Sequence, residues 1–498
     1  MKDPHKLRVL TLNACSLKGK DKHLEFQSLI DNYKPDIVNV NETHINDTVF
    51  SAEILEKGYT VFHKDRNEFG GGVLSAFSNH LVVTHEEQMD GNYEGIWSKI
   101  NIAGSKSLFV GSVYRTPDSN VDPLVALDGA LCKLVKNPIP NILITGDLNL
   151  PSISWEDDNY AVRPNPTYGL EVNHKFLDIV NDHSLTQHVM EPTRGENTLD
   201  LVLTTCPEMV LDLVVEPGMS DHDLVLFDLN LKPSFNKKKP RKVFVFKKGN
   251  MGAVKTDLKK HLDNYFNNEA YHKLINKNYD FFKTTITEIM KKHIPQKNIS
   301  GRWNLPWITS SIKRLIRKKQ RLYNHAKHCN NHAAWKKFKD LRKLVKKNLA
   351  KAHSEYVSQL LTVPEGSETA NHTITKRFWT YIKSKKTHDV GVAPLRDDKG
   401  ELVSDSLGKA RALSSQFQSV FTHENNSSIP TLGPSPYPTI PSTLMSIDGV
   451  IKLLQNVNPK KANGPDLIPC NARLRCCIQG CHINIRFASQ KLNIKSKY

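Results

Sequence analysis

The chain has 498 residues, 39% hydrophobic and 24% charged, which suits two or more globular domains rather than one small core. No run of about 18 apolar residues occurs, which excludes a helical membrane span, and eight scattered cysteines exclude a disulfide framework and point to a reducing compartment. Residues 1–230 carry 18 Lys and Arg against 34 Asp and Glu, a net −16, while residues 231–498 carry 51 against 17, a net +34. An acidic half suits a divalent cation and a basic half suits a polyanion.

In chain order, Met1 to Lys6 leads without an apolar leader into a strand, Leu7 to Asn13, apolar on both faces and ending on an amide. Phe26, Leu29, Ile30 and Tyr33 repeat at helical spacing. Pro35-Asp36 breaks that helix, and Ile37 to Glu42 is a second strand, ending on a carboxylate. Gly70-Gly71-Gly72 reads as a turn or bulge before a strand from Val73 to Phe77. The next strand, Leu108 to Tyr114, again ends on a polar-tipped residue. Leu124, Leu127, Leu131 and Leu134 mark an amphipathic helix, followed by the strand Asn141-Ile-Leu-Ile-Thr-Gly-Asp147 and then Leu148-Asn149. A helix over Glu171 to Ser184 precedes strands at Thr198–Leu203 and Val210–Val215, the Ser220-Asp221-His222 segment, and a strand from Leu224 to Leu231.

Strands with intermittent helices predict a layered α/β (α+β) sandwich with a site along one sheet edge. Each polar strand end is by itself an ordinary turn signal. Together they form a set: Asn13, Glu42, Tyr114, Asp147, Asn149, Asp200, Asp221 and His222. Carboxylates and an amide oxygen are hard ligands that suit Mg²⁺ or Mn²⁺ rather than Zn²⁺. Phosphodiester hydrolysis needs charge neutralisation, a deprotonated water and help for the leaving group. Glu42 can hold the metal, Asp147 can take the proton from water, and a cationic His222 can donate to a phosphate oxygen. Asp200 is a candidate partner to keep that imidazole charged.

The ordered pieces Leu12-Asn13, Asn41-Glu42-Thr43, Val113-Tyr114-Arg115, Gly146-Asp147-Leu148-Asn149, Leu199-Asp200-Leu201 and Ser220-Asp221-His222 resemble the endonuclease/exonuclease/phosphatase superfamily, which includes the exonuclease III-like abasic-site nucleases. Residues 190–204, Met-Glu-Pro-Thr-Arg-Gly-Glu-Asn-Thr-Leu-Asp-Leu-Val-Leu-Thr, are most similar to the endonuclease domain of non-LTR (LINE-type) retrotransposons. The resemblance implies a four-layer αββα sandwich over residues 1–232. It makes Glu42 the main metal ligand with Asn13 beside it, and gives Asp147 the attacking water. Asn149 and Tyr114 would hold the phosphate. His222, oriented by Asp200, would stabilise the pentacovalent phosphorus, and Asp221 would support the metal side or the leaving group. The substrate would be DNA, nicked to leave a 3′-hydroxyl for priming. Cys15 and Asn41 depart from the residues common at those places.

The basic half divides into a linker with helical segments over 233–300, a helical hairpin over 301–362, and a helical segment with a Pro-rich connector over 363–445. The hairpin rests on Trp307, Ile312, Leu315 and Ile316 among Lys313, Arg314, Arg317 and Lys318, and on Trp335, Phe338, Leu341 and Val345. Its cationic face predicts a nucleic-acid partner: DNA, with an RNA of the element as a second polyanion. Residues 446–469 resemble the start of a reverse transcriptase region, carrying Lys461-Ala-Asn-Gly-Pro-Asp466. Residues 470–498 form an aberrant tail whose Cys470, Cys476, Cys477, Cys481 and His482 fit no standard zinc spacing. No polymerase aspartate pair can be placed, so no reverse transcriptase activity is expected. The reading is a Mg²⁺-dependent DNA endonuclease, intracellular and nuclear. Its alternatives are a catalytically silent nucleic-acid-binding relic and a phosphatase of the same fold.

Overall fold

Hydrophobic alternation builds the N-terminal domain. In chain order it runs β1 (Leu7–Asn13), α1 (Lys20–Tyr33), β2 (Ile37–Asn41), α2 (Ser51–Ile54), β3 (Tyr59–Lys64), β4 (Val73–Ser78), β5 (Val83–His85), β6 (Glu94–Ile100) and β7 (Leu108–Tyr114). It continues through α3 (Asp122–Leu134), β8 (Asn141–Asp147), β9 (Ile153–Ser154), β10 (Ala161–Val162), α4 (Gly169–Asp182), β11 (Thr186–Gln187), β12 (Asp200–Thr204), β13 (Val210–Glu216) and β14 (Leu224–Leu229). The computed structural model describes residues 6–46, 48–55, 58–67, 69–134, 139–155, 160–233, 241–267, 275–299, 305–329, 331–361, 370–386, 395–398, 400, 402–403, 406–421 and scattered positions between 449 and 469. The prolines from Pro430 to Pro441, most of the 446–469 stretch and the whole 470–498 tail with its Cys and His residues lie outside the described residues.

Two six-stranded sheets result, ordered β13-β14-β1-β2-β4-β3 and β11-β12-β8-β7-β6-β5. Each has one parallel pair joined by a helical crossover, β1-α1-β2 and β7-α3-β8, set among antiparallel neighbours. Period-two alternation sends Leu7, Val9, Ile37, Leu108, Val110, Leu143 and Val202 into a core between the sheets. The opposite faces pack outward. Leu10, Leu12, Val38 and Val40 meet Phe26 and Leu29 of α1. Ile142, Ile144, Leu201 and Leu203 meet Leu127, Leu131, Phe176 and Ile179 of α3 and α4. Each such buried side chain contributes about 1.5–3 kcal/mol. The layers are helix, sheet, sheet, helix, as the resemblance implied.

In the N-terminal domain six strands, β3, β5, β6, β9, β10 and β11, lie where the sequence reading names none, four of them only two or three residues long. In β6 the inward positions are Ile96, Ser98 and Ile100, all buried, so a central serine interrupts the apolar alternation. α4 begins two residues before the expected Glu171, at Gly169, whose φ of +79° lets the chain turn into the helix.

The chain divides into two compact units, residues 1–238 with 302–421, and residues 239–301 with 422–498. In the second unit β15 (Arg241–Phe244) pairs antiparallel with β16 (Gln296–Ile299). Its helices α5 (Met251–Asn267) and α6 (Ile275–His293) pack through Val254, Leu258, Ile286 and Ile289. In the first unit α7 (Ser310–Cys329) and α8 (His332–Leu361) form a hairpin sealed by Ile312, Ile316, Leu341 and Val345, with Leu24 of α1 in the same cluster. No helix among the described residues is long and apolar enough to cross a membrane.

Candidate active site

The same alternation that fills the inter-sheet core also builds a polar edge. Along β1 the inward face reads Leu7, Val9, Thr11, Asn13; along β2, Ile37, Asn39, Asn41; along β7, Leu108, Val110, Ser112, Tyr114; along β8, Leu143, Thr145, Asp147. Each strand turns from apolar to polar toward its carboxyl end. A hydrogen bond across the gap joins the two sheets there, Asn39 Nδ2 donating to Thr145 Oγ1 (2.7 Å), while Ser75 Oγ of the neighbouring strand β4 donates to Asn39 Oδ1 (2.9 Å) and holds that amide in place. Asn41 Nδ2 donates to the Val113 carbonyl (3.0 Å), and its Oδ1 accepts from the Asp147 amide (3.3 Å). Asn41, a departure from the family pattern, thus ties β2 to the opposite sheet.

Gly146 allows this close approach. Its φ is +146°, and a Cβ there would lie 1.8 Å from the Val113 carbonyl oxygen. Asp147 follows, fully buried. Its Oδ2 accepts from Asn13 Nδ2 (2.8 Å) and its Oδ1 from the Asn149 amide (3.0 Å). Asn13 Nδ2 also donates to Glu42 Oε1 (2.9 Å), to which the Tyr114 hydroxyl donates as well (3.0 Å). Burial and the Glu42 charge raise the Tyr114 phenol above its ordinary value, so it stays a protonated donor.

His222 lies between the two aspartates. Its Nδ1 is 2.8 Å from Asp200 Oδ2, and its Nε2 is 3.9 Å from Asp147 Oδ2. Burial opposes the charged ring, but the Asp200 hydrogen bond and the charges of Asp200 and Asp147 outweigh it and raise His222 to about 9. Burial, then repulsion from Asp200, holds Asp147 well above the usual carboxylate range, against the pull of His222 and Asn13. Asp200 is fixed in turn: Thr193 Oγ1 accepts from the Leu199 and Asp200 amides, both at 3.1 Å.

Glu42 has a φ of +50°, and Cys15, Ser16, His44 and Asn149 are also left-handed. Such non-glycine conformations cost about 1–3 kcal/mol each and persist where surrounding bonds over-determine them. Here Ser16 donates to the Glu42 carbonyl (2.8 Å), Thr43 to Gly72 O (3.2 Å) and His44 to Gly71 O (3.0 Å). Gly71 and Gly72, read from the sequence as a turn, therefore brace the Glu42 loop. A Cβ on Gly72 would lie 2.5 Å from Thr43 Oγ1.

Seven of the eight expected residues converge: Asn13, Glu42, Tyr114, Asp147, Asn149, Asp200 and His222. Asn149 does so with its amide already engaged, Nδ2 donating to the Arg115 carbonyl (2.9 Å). Asp221 stands apart on the rim, its side chain half exposed and paired with Arg194 Nη2 at 2.7 Å. The sequence reading assigned no role to Arg194, to the sheet-bridging Asn39 and Thr145, or to Arg115. The Arg115 guanidinium is buried and donates to the carbonyls of Ser119 (2.6 Å) and Asn149 (3.3 Å), holding the loop after β8.

The oxygen donors at this edge suit a hard divalent cation. Glu42 is the partly exposed carboxylate, with Oε2 3.6 Å from His44 Nε2 and accepting neither the Asn13 nor the Tyr114 bond. One such carboxylate beside water suits Mg²⁺, which keeps much of its hydration. Asn13 Oδ1 accepts from the Cys15 amide (2.9 Å), so its oxygen would face Glu42 only with the amide turned. Asp147, Asp200 and His222 also offer atoms within 4.8 Å of one another. Their burial and the His222–Asp200 hydrogen bond suit proton handling better than cation binding.

Residues 108–226 match a family model described as endonuclease-reverse transcriptase, and residues 308–370 match one described as the female sterile protein K10 C-terminal domain. No match was found among curated proteins. Among solved structures, the endonuclease domain of TRAS1, a telomere-specific non-LTR retrotransposon, is similar at 17% identity over 46% of this chain and 99% of that one, with a TM-score of 0.35. The Xenopus laevis APE2 catalytic domain is similar at 13% identity over 46% and 93%, TM-score 0.37. An AP endonuclease from Archaeoglobus fulgidus is similar at 17% identity over 45% and 99%, TM-score 0.33. Over residues 108–226 the chain is similar to the family described as endonuclease-reverse transcriptase.

Proposed function

We propose that residues 1–232 are a divalent-metal-dependent DNA endonuclease that breaks the P–O3′ bond of a phosphodiester, leaving a 3′-hydroxyl and a 5′-phosphate. The observation that supports it is the buried Asp147–His222–Asp200 array beside Glu42, on one edge of the sandwich. A carboxylate with a raised proton affinity and a cationic imidazole side by side are a base and an acid matched to one hydrolysis.

Asp147 takes a proton from water as it attacks phosphorus, its orientation fixed by Asn13 and the Asn149 amide. His222, kept cationic by Asp200, donates to a non-bridging oxygen as negative charge gathers there. The Tyr114 hydroxyl is a second donor at the phosphate, and Asn149 shapes the floor beneath it. Asp221, paired with Arg194, lies on the rim where the leaving strand departs. Mg²⁺, or Mn²⁺, held by Glu42 with Asn13, would neutralise the phosphate charge and assist the leaving oxygen. Genomic DNA as substrate implies nuclear residence. The exposed Arg314, Arg317, Lys318 and Arg321 of α7 supply a phosphate-binding face.

Metal removal tests this reading. Supercoiled plasmid incubated with the full chain should be nicked in Mg²⁺, left intact in excess EDTA, and nicked again when Mg²⁺ or Mn²⁺ is restored. A plasmid left intact with either metal sinks the endonuclease assignment, and nicking indifferent to EDTA sinks the metal requirement.

A further inference from the structure

The cations of the α7–α8 hairpin do not all face outward. Several close onto the acidic N-terminal domain: Lys313 pairs with Asp31 (2.8 Å) and Lys346 with Glu25 (2.9 Å), and both carboxylates lie buried on α1. The Tyr33 hydroxyl donates to Gln320 Oε1 (3.1 Å). α1 is consequently covered on two faces, by its own sheet and by the hairpin. Two further contacts reach the loop that carries His222. Arg342 Nη2 donates to the Ser220 carbonyl (3.0 Å), and the Tyr323 hydroxyl donates to Asp223 Oδ2. Tyr323 is itself locked among Phe338 (5.4 Å between ring centroids) and Trp335 (5.9 Å).

The same loop is held on its inner side. Ser220 Oγ donates to the Asn13 carbonyl (2.6 Å), the His222 amide donates to Ser220 Oγ (3.1 Å), and the Asp223 amide donates to the Thr193 carbonyl (2.8 Å). His222 is therefore flanked in sequence by two residues, each tied outward to the hairpin and inward, Ser220 to β1 and Asp223 to Thr193 of the loop before β12. Inward bonds alone fix one side of a four-residue segment. The outward pair removes the remaining freedom, and an imidazole must be placed to within a fraction of an ångström to serve a phosphate.

We propose that the hairpin is a structural part of the nuclease, with Tyr323 and Arg342 as positioning residues that hold the Ser220–Asp223 loop and so aim His222. This rests on the endonuclease reading for its catalytic consequence but not for its structural one. The basic hairpin then has two faces with different work: an inner face that braces the loop, and an outer face left to nucleic acid. Neither Tyr323 nor Arg342 touches the reacting atoms.

The test uses the full chain, comparing wild type with Tyr323→Phe, Arg342→Ala, Arg342→Lys and the double variant Tyr323→Phe/Arg342→Ala. Two quantities are read: nicking kinetics on a short duplex, and amide hydrogen exchange over residues 218–223. The double variant should lose about 10²-fold in kcat with KM within about twofold, because a misplaced group costs rate without costing binding. Arg342→Lys, which keeps one donor, should recover most of the loss. Exchange at 220–223 should quicken in the double variant while exchange in β1 and β8 does not. A rise in KM with kcat unchanged would make these residues DNA contacts and overturn the proposal, as would unchanged exchange across the loop. If wild type nicks nothing, the endonuclease reading falls and exchange alone decides the brace.

Discussion

Asp147→Asn should abolish nicking, by about 10³-fold or more, while leaving the fold at least as stable as wild type. The substitution keeps shape and removes only the ability to take a proton. The thermodynamic half follows from the sign of the shift. Asp147 has its pKa raised by burial and by Asp200, so its ionised form is worth less in the folded chain than in the unfolded one. That penalty is present above the unfolded carboxylate pKa, so removing the charge at pH 8 costs no stability. The side chain's two acceptor bonds, from Asn13 and the Asn149 amide, can be met by the amide oxygen and by a turned Asn13. Rate and melting temperature measured on one preparation separate these effects. A loss of less than about tenfold would show that another group activates the water.

Asp200→Asn should act through His222. Asparagine can still accept the Nδ1 hydrogen bond, so the ring keeps its place, but the charge that holds it cationic is gone and burial then pulls its pKa down. In wild type, kcat should rise as Asp147 loses its proton, stay high while His222 keeps its own, and fall as pH rises through about 9. In Asp200→Asn the alkaline fall should come earlier by about one pH unit or more, with a loss of about threefold or more at pH 8.5. The acid limb should move less, and in the direction of lower pH, since Asp147 no longer faces a second carboxylate. An alkaline limb that stays at the wild-type position would mean that His222 titration does not govern the rate.

The site was legible because β-structure has a period of two. Asn13, Asp147 and Tyr114 each end the inward face of a strand that begins with Leu or Val and passes through Thr or Ser, so a polar strand end in this sequence is also a polar end of the core. The order of motifs supplied the rest. What could not be read was long-range. Asn39 and Thr145 look like ordinary polar strand residues until the sheets face each other, and Gly71 and Gly72 look like a turn until they are seen under Thr43 and His44. Asp221 sits directly between Ser220 and His222, both anchored in the site, yet the loop turns its side chain outward to Arg194.

The hairpin was the least legible part. Its apolar stripe predicted two helices and their seam, and both formed as α7 and α8. Its Lys and Arg residues were read as one outward cationic face, since helical spacing alone cannot say which charges meet a partner in the same chain. Lys313, Lys346 and Arg342 find theirs on α1 and in the His222 loop, about 120 to 320 residues away in sequence, while Arg314, Arg317 and Lys318 remain exposed. The acidic N-terminal half thus gives part of its charge to internal pairing.

Nick extension tests the central claim most directly. Plasmid treated with the full chain in Mg²⁺ is passed, without end repair, to a DNA polymerase with labelled nucleotides, beside an identical preparation of Glu42→Ala. Wild type should yield nicks that are extended at once, and Glu42→Ala should yield no label above plasmid alone. Equal label from Glu42→Ala, or wild-type nicks that accept nucleotides only after their 3′ ends are dephosphorylated, would contradict a Glu42-centred site that releases a 3′-hydroxyl.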